Sequence, residues 1–240
     1  MRIVVLNSGK KNGNTRAIID NVKDKLKLKE VEWVHYNLND YDINCCQGCE
    51  VCLRQNNCVI EDDIQKIMSE LKLADGVILA SPVYMGNITG KMKTFIDRTC
   101  KWYHRPELIG VPLLAVVSTA GSDLKFTLNY LEKAGIYWGM QPAGKIGKKI
   151  GNYNLIEKNE CEDFIWHLKH GKDQYSPSLK QLIHYQVQKI LAEKVLEKDM
   201  EYWDKKGWLE KSFYYDCQIN IFKKLIAKLF YKFLSNKIEY

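Results

Sequence analysis

Cys46, Cys49, Cys52 and Cys58 fall within thirteen residues in the spacing C-x2-C-x2-C-x5-C, and Cys45 stands directly ahead of the first. Thiols at this density suit a bound metal, a cluster or electron exchange, so they point to redox or metal chemistry. Structural zinc sites usually join two C-x2-C knuckles across a dozen or more residues, which this spacing does not offer. Three cysteines at successive x2 intervals, with a fourth close behind, match the loops that hold iron–sulfur clusters. Two departures from that pattern are the wider final interval and Val59, which occupies the place of the usual proline.

A second candidate is Asn7-Ser8-Gly9-Lys10-Lys11-Asn12-Gly13-Asn14-Thr15, directly after the apolar run Ile3–Leu6. A glycine-bearing turn between strand and helix gathers backbone N–H groups at a helix N-terminus, which favours a phosphate. Ser8, Asn14 and Thr15 add side-chain donors. The loop is neither a Walker A motif nor G-x-G-x-x-G, and an ordinary strand-to-helix turn has the same composition. The third candidate is Ser81-Pro82-Val83-Tyr84-Met85-Gly86-Asn87, which leaves the carboxyl end of Val77–Ala80. Ligands bind at such ends in open α/β sheets. Pro82 stiffens the exit, Tyr84 offers an aromatic face, and Gly86 lets backbone approach a flat ring. The five histidines form no metal-ligand constellation, and Cys100, Cys161 and Cys217 read as small buried hydrophobes.

These loops need a scaffold, and the first 150 residues supply one. Short apolar runs at Ile3–Leu6, Val31–Leu38, Val77–Ala80 and Pro112–Val117 suit strands buried on both faces of a parallel sheet. Helical patterns alternate with them at Thr15–Leu26, Asp62–Leu73, Gly90–Cys100 and Ser122–Ala134, and a fifth strand is expected within Tyr137–Ile146. This alternation predicts a doubly wound α/β sheet with right-handed crossovers. Residues 151–240 change to helices: one is expected from Ser176-Pro177 to about Trp203, and another over Ile219–Leu234. The last is amphipathic, with Phe222, Leu225, Ile226, Leu229 and Phe233 on one side, and is expected to pack on its own domain or a second subunit. A basic helix of this kind can instead lie on an anionic membrane surface.

With 240 residues and 46% hydrophobic content the chain can bury a proper core. Its net charge is +7, and Ile219–Tyr240 alone holds five lysines against one glutamate. The rest of the surplus is dispersed, which argues against nucleic-acid binding. No apolar run approaches a membrane span, and the clustered cysteines without a signal peptide suggest a reducing cytoplasm.

Taken together, the Ser81–Arg98 segment resembles the S-P-x-Y…G-x-x-K-x-F-x-D-R stretch of the NADPH-dependent FMN reductase family of flavodoxin-like proteins. Within that superfamily Cys46–Cys58, followed by Asp62-Asp63, is similar to the iron–sulfur flavoproteins. The resemblance implies a flavodoxin-like three-layer sandwich with a five-stranded parallel sheet in the order 2-1-3-4-5, followed by a helical C-terminal extension. It implies that Ser8, Gly13, Asn14 and Thr15 hold the FMN phosphate. Pro82, Val83, Tyr84, Gly86 and Asn87 would border the ring, with Ser118-Thr119-Ala120-Gly121-Ser122 as a third flanking loop in which Ser118 and Gly121 contact the cofactor. It also implies that Cys46, Cys49, Cys52 and Cys58 ligate a [4Fe–4S] cluster. Related reductases that bind FMN alone carry similar cysteines, so a free-thiol loop at a subunit interface stays open beside the cluster, and zinc is least favoured by the spacing.

The function expected is an FMN-dependent NAD(P)H oxidoreductase passing electrons to a small acceptor such as a quinone or nitro compound, through the cluster if one is held. The resemblance further implies a cytoplasmic homodimer or tetramer. Two alternatives are an iron–sulfur flavoprotein carrier that receives electrons from ferredoxin, and a cysteine-based redox sensor.

Overall fold

The computed structural model describes residues 1–28, 30–152, 156–172 and 174–238. The chain runs β1 (Arg2–Asn7), α1 (Asn14–Leu26), β2 (Glu32–Asn37), a 3-10 turn (Leu38–Asp40), α2 (Val51–Arg54) and α3 (Ile64–Leu71). It continues with β3 (Gly76–Pro82), α4 (Gly90–Arg98), α5 (Cys100–His104), β4 (Pro112–Thr119), α6 (Leu124–Tyr137) and β5 (Gln141–Lys149). The five strands form one sheet in the order β2-β1-β3-β4-β5, and every pairing is parallel. This is the flavodoxin-like arrangement, whose switch point lies between β1 and β3.

Strand alternation sorts the core into two layers. Ile3, Val5, Ile78, Leu114 and Val116 face α1, where Ile18, Ile19 and Val22 are fully buried. Val4, Leu6, Leu79, Ala115 and Val117 face the opposite layer, filled by Ile67 of α3, Phe95 of α4 and Leu131 of α6. Both faces are dry, as expected for continuous β-branched runs. The fifth strand starts at Gln141 rather than near Tyr137, because α6 runs on to Tyr137 and Trp138 enters the core beside Phe95 and Trp102. A turn with Gly139 at φ +89° and a bond from Met140 N–H to the Gly135 carbonyl (2.9 Å) then releases the chain.

After β5 come a 3-10 turn (Lys158–Cys161) and α7 (Glu162–His170), then α8 (Leu179–Lys194), α9 (Glu197–Lys205) and α10 (Ile221–Ser235). The helix expected from Ser176-Pro177 to Trp203 is two helices. Its cap is Ser178, which exchanges a capping box with Gln181, and extended backbone at Leu196 separates α8 from α9. That break turns Trp203 into an aromatic cluster with Tyr185, Trp208 and Tyr214. It also buries Asp199 completely. Bonds from Trp203 Nε1 to the His104 carbonyl (2.8 Å) and from Gln141 Nε2 to Tyr215 Oη (2.8 Å) tie these helices to the sheet domain.

Of the two packings expected for the last helix, on its own domain or on a second subunit, its apolar stripe does not make the first. α10 lies against α8 through Ala227 and through Tyr231, which donates to Glu193 at 2.6 Å. Phe222, Leu225, Ile226, Leu229 and Phe233 sit on the far side and are exposed. Among the described residues no helix is long and apolar enough to cross a membrane.

Candidate functional site

Three strands end at one place. The loops after β1, β3 and β4 enclose a cavity of about 270 Å³, with Ile150 closing it just past β5. Its floor is the turn into α1. Gly13 is the N-cap there and supplies no side-chain cap, and the first turn holds no acidic residue. The leading N–H groups of a thirteen-residue helix therefore face the cavity without an internal partner, with the positive end of the helix dipole behind them. Thr15 is buried, and its hydroxyl oxygen lies 2.7 Å from that of Ser118, joining the α1 turn to β4. A Cβ on Gly9 would lie 3.0 Å from Thr15 Oγ1, and one on Gly13 would lie 3.3 Å from the Lys10 carbonyl oxygen, so bulk at either position would crowd the turn.

Residues outside that turn hold it in place. Asn39, just after β2, donates Nδ2 to the carbonyls of Ser8 (3.2 Å) and Gly9 (3.0 Å). Asp40 pairs with Lys11 at 3.1 Å. Lys10 lines both this cavity and a neighbouring one of about 540 Å³. Tyr84 also borders both, and is half exposed at 53%. The Tyr84 ring is carried on a tight turn: Tyr84 N–H bonds the Asn87 carbonyl (2.8 Å), Asn87 N–H bonds the Tyr84 carbonyl (3.1 Å), and Met85 and Gly86 both have positive φ. The turn is anchored at its base by Val83 N–H on the Ser118 carbonyl (2.8 Å) and by Ser81 Oγ, which accepts from Thr89 N–H (3.1 Å). Thr89 then caps α4.

The cysteine loop lies along α4 and α5. Both ends are pinned by Arg98, which donates to the carbonyls of Asn44 (2.9 Å) and Ile60 (3.1 Å) and pairs with Asp62. The Arg98 and Asp62 side chains are 1% and 0% exposed. Burial works against the Asp62 charge, but bonds from Arg98 and from the N–H groups of Asn44 and Ile64 hold its carboxyl below the usual range. Inside the loop, Arg105 donates to the carbonyls of Cys52 and Leu53 and to Asn56 Oδ1, while Asp199 of α9 pairs with Arg105 and His104, both at 2.8 Å.

Cys46 and Cys49 are exposed and Cys58 is half-buried. Cys52 is turned toward Cys100, with the sulfurs 3.4 Å apart. The Cys100 S–H bond, reinforced by Lys101 and Arg105 and opposed by burial, lowers the Cys52 thiol to about 6, and the same contact pushes Cys100 up. Among the described residues no three cysteine, histidine or carboxylate side chains converge on a metal position.

A family model described as NADPH-dependent FMN reductase matches residues 1–153. The chain belongs to that family. An iron–sulfur flavoprotein of Archaeoglobus fulgidus is 32% identical over 220 residues, covering 85% of this chain and 98% of the relative. An NAD(P)H-dependent FAD/FMN reductase of Geobacillus thermodenitrificans is 26% identical over 145 residues, covering 59% of this chain and 71% of that one. The fold is also that of RosB, solved with a bound 8-demethyl-8-formylriboflavin-5′-phosphate intermediate. The TM-score is 0.56 at 12% identity, with 92% of each chain covered. This chain is thus a flavin-dependent oxidoreductase of the FMN reductase family.

In this FMN reductase relative, Gly13, Asn14, Thr15, Pro82, Val83, Tyr84 and Ser118 line one cavity. Ser8 does not line it: its hydroxyl faces the Ala80 carbonyl at 3.4 Å, and the residue borders the neighbouring cavity. Gly86 and Asn87 form the tip and return of the Tyr84 turn, and Gly121 donates its N–H to Thr119 Oγ1 (3.1 Å). Thr119 and Ala120, from the third expected loop, also line the first cavity, whereas Lys10, Asn39 and Ile150 were not singled out by sequence reasoning. Of these only Asn39 carried a signal, an Asn-rich turn directly after a strand. The uncapped α1 terminus and its glycine turn fit a phosphate, and the cavity beneath Tyr84 fits a planar group beside it. The four thiols fit an iron–sulfur cluster as a donor set, provided Cys52 turns away from Cys100.

Proposed function

We propose that this chain is an NAD(P)H-dependent FMN oxidoreductase of the cytoplasm that delivers electrons to a small acceptor. The observation that carries the proposal is the α1 terminus, uncapped and facing a cavity that Tyr84 overhangs. The first N–H groups of α1, with the Asn14 and Thr15 side chains, hold the phosphate dianion, and Lys10 adds a cation at the rim. Val83 shapes the ring pocket through its side chain, because its N–H is already taken by Ser118. Tyr84 covers the ring and limits water access from the open side. FMN, when bound, takes up two electrons from a nicotinamide and releases them together or singly.

In the finer version of this proposal, Cys46, Cys49, Cys52 and Cys58 hold a [4Fe–4S] cluster that relays single electrons. Its support is the placement of the loop: Cys45 Sγ lies 3.9 Å from Thr94 Oγ1 on α4, the helix whose first turn borders the larger of the two cavities beside Tyr84. The iron–sulfur flavoprotein names of the relatives agree with it. In that version a ferredoxin-type partner can replace the nicotinamide as donor.

Anaerobic purification tests both versions. Flavin, iron and acid-labile sulfide are assayed, and NADH and NADPH oxidation is followed with quinone and nitro acceptors. Stoichiometric FMN with nicotinamide turnover above that of free FMN is expected. FMN without turnover would leave the carrier in place of the reductase, and FMN without iron after reconstitution would remove the cluster.

A further inference from the structure

The exposed side of α10 carries a surface that the flavin chemistry does not use. Ile221, Phe222, Leu225, Ile226, Leu229 and Phe233 recur at helical spacing on one face, between 47% and 74% exposed. Six large apolar side chains in one stripe are more than scattered surface hydrophobes and mark a contact surface. The helix is well formed without a partner there: Asn220 caps it through Phe222 and Lys223 N–H, and Ala227 and Tyr231 seat its other side on α8.

Lys224, Lys228 and Lys232 follow one another at intervals of four and form a row along one edge of the stripe. Behind that row is a cavity of about 370 Å³ between α8 and α10, where Lys224 and Lys228 meet Lys189 and Lys211, with Gln186 and Tyr231 in its wall. Lys211 has Asp216 at 3.3 Å and Lys189 has Glu193 at 3.8 Å, but among the described residues no ion pair reaches Lys224, Lys228 or Lys232. The chain holds no acidic residue from Cys217 to Ile238.

This charge pattern selects the occupant. A second copy of α10 laid against the first would bring lysines to lysines with no carboxylate on either edge, so self-pairing is opposed electrostatically. A surface that is apolar in depth and anionic at the same level as the lysines answers both features. We propose that α10 docks this protein onto anionic phospholipid bilayers. The stripe enters the acyl boundary, and the lysine row and the basic cavity behind it take headgroup phosphates.

Co-sedimentation of the full chain with phosphatidylglycerol vesicles and with phosphatidylcholine vesicles tests this. Binding to the first, weakening with salt, and little binding to the second are expected. Each lysine near such a surface contributes roughly fivefold in affinity, so the triple variant K224Q/K228Q/K232Q is expected to bind about a hundredfold more weakly. L225S/L229S/F233S is expected to abolish binding, and because these side chains are exposed both variants keep FMN, which serves as the folding control. Equal binding to both vesicle types, or none to either, would overturn the proposal. So would a dimer in sedimentation equilibrium that the stripe variant dissociates while the parent ignores vesicles, since the stripe would then be an interface between copies.

Discussion

Replacing Asp62 with asparagine removes one charge from a pair with no access to solvent, and leaves the Arg98 guanidinium buried at 1% exposure. Breaking a buried pair by removing one partner costs about 3–5 kcal/mol. Arg98 keeps its bonds to the Asn44 and Ile60 carbonyls, so the lower end, about 3 kcal/mol, is expected. For a domain of this size that corresponds to a fall in Tm of about 6–12 °C. Urea titration of Asp62→Asn, Arg98→Met and the double variant Asp62→Asn/Arg98→Met forms a cycle in which the double variant loses less than the sum of the two single losses. The pH dependence gives a second reading of the same pair. A carboxyl held below its unfolded value stabilises the fold fully above about pH 4 and loses that contribution as pH falls through the native value. Parent and Asp62→Asn should therefore converge in strong acid. Single variants within about 1 kcal/mol of the parent, or strictly additive losses, would refute the idea that this pair clamps the loop ends.

Thr15→Val removes a donor from the phosphate position, and FMN is expected to bind about tenfold more weakly or worse, measured by quenching of flavin fluorescence. Ser8→Ala should change FMN affinity little, because that hydroxyl is turned to the Ala80 carbonyl. Asp199→Asn strips the counter-charge that positions Arg105 and loosens its grip on the Cys52 and Leu53 carbonyls, so timed alkylation read by mass spectrometry should show the half-buried Cys52 reacting several-fold faster through exposure, with the already exposed Cys46 and Cys49 unchanged. His184 is buried against Tyr137 and Tyr103, and burial followed by the Lys133 and Lys180 charges holds its imidazole down to about 4. An imidazole neutral in the fold and protonated when unfolded contributes stability above pH 6.5 that is lost on acidification, here by about 3 kcal/mol as pH reaches 4. His184→Phe should flatten that slope in thermal melts between those values.

The strand ends that carry the cavity were legible because each is a short β-branched run closed by a glycine or proline turn, and the connection rules leave few sheet orders for such a chain. Thr15 and Tyr84 stood out for the same local reason: both belong to loops that leave strands. Lys10 did not, since nothing in a lysine within a polar loop tells which cavity it will border. Asp199 was invisible for a different reason. Its role depends on the break at Leu196, and that break is imposed by aromatic packing around Trp203 rather than by any proline or glycine in the helix itself. The pairing of Cys52 with Cys100 likewise joins residues separated by forty-eight positions and needs the placement of α5 against α2 to be seen.

Asp199 lies beyond the part of the chain that the reductase family shares, yet its carboxylate neutralises an arginine that grips the cysteine loop within that part. A boundary near residue 153 is thus one of inheritance and not of cooperativity. A fragment cut there would keep every strand but would leave Arg105 without a counter-charge and the carbonyl of His104 without Trp203. The cysteine loop and the appended helices should be gained or lost together, in engineering as in unfolding. Any relative that lacks these helices must brace its cysteines by other means.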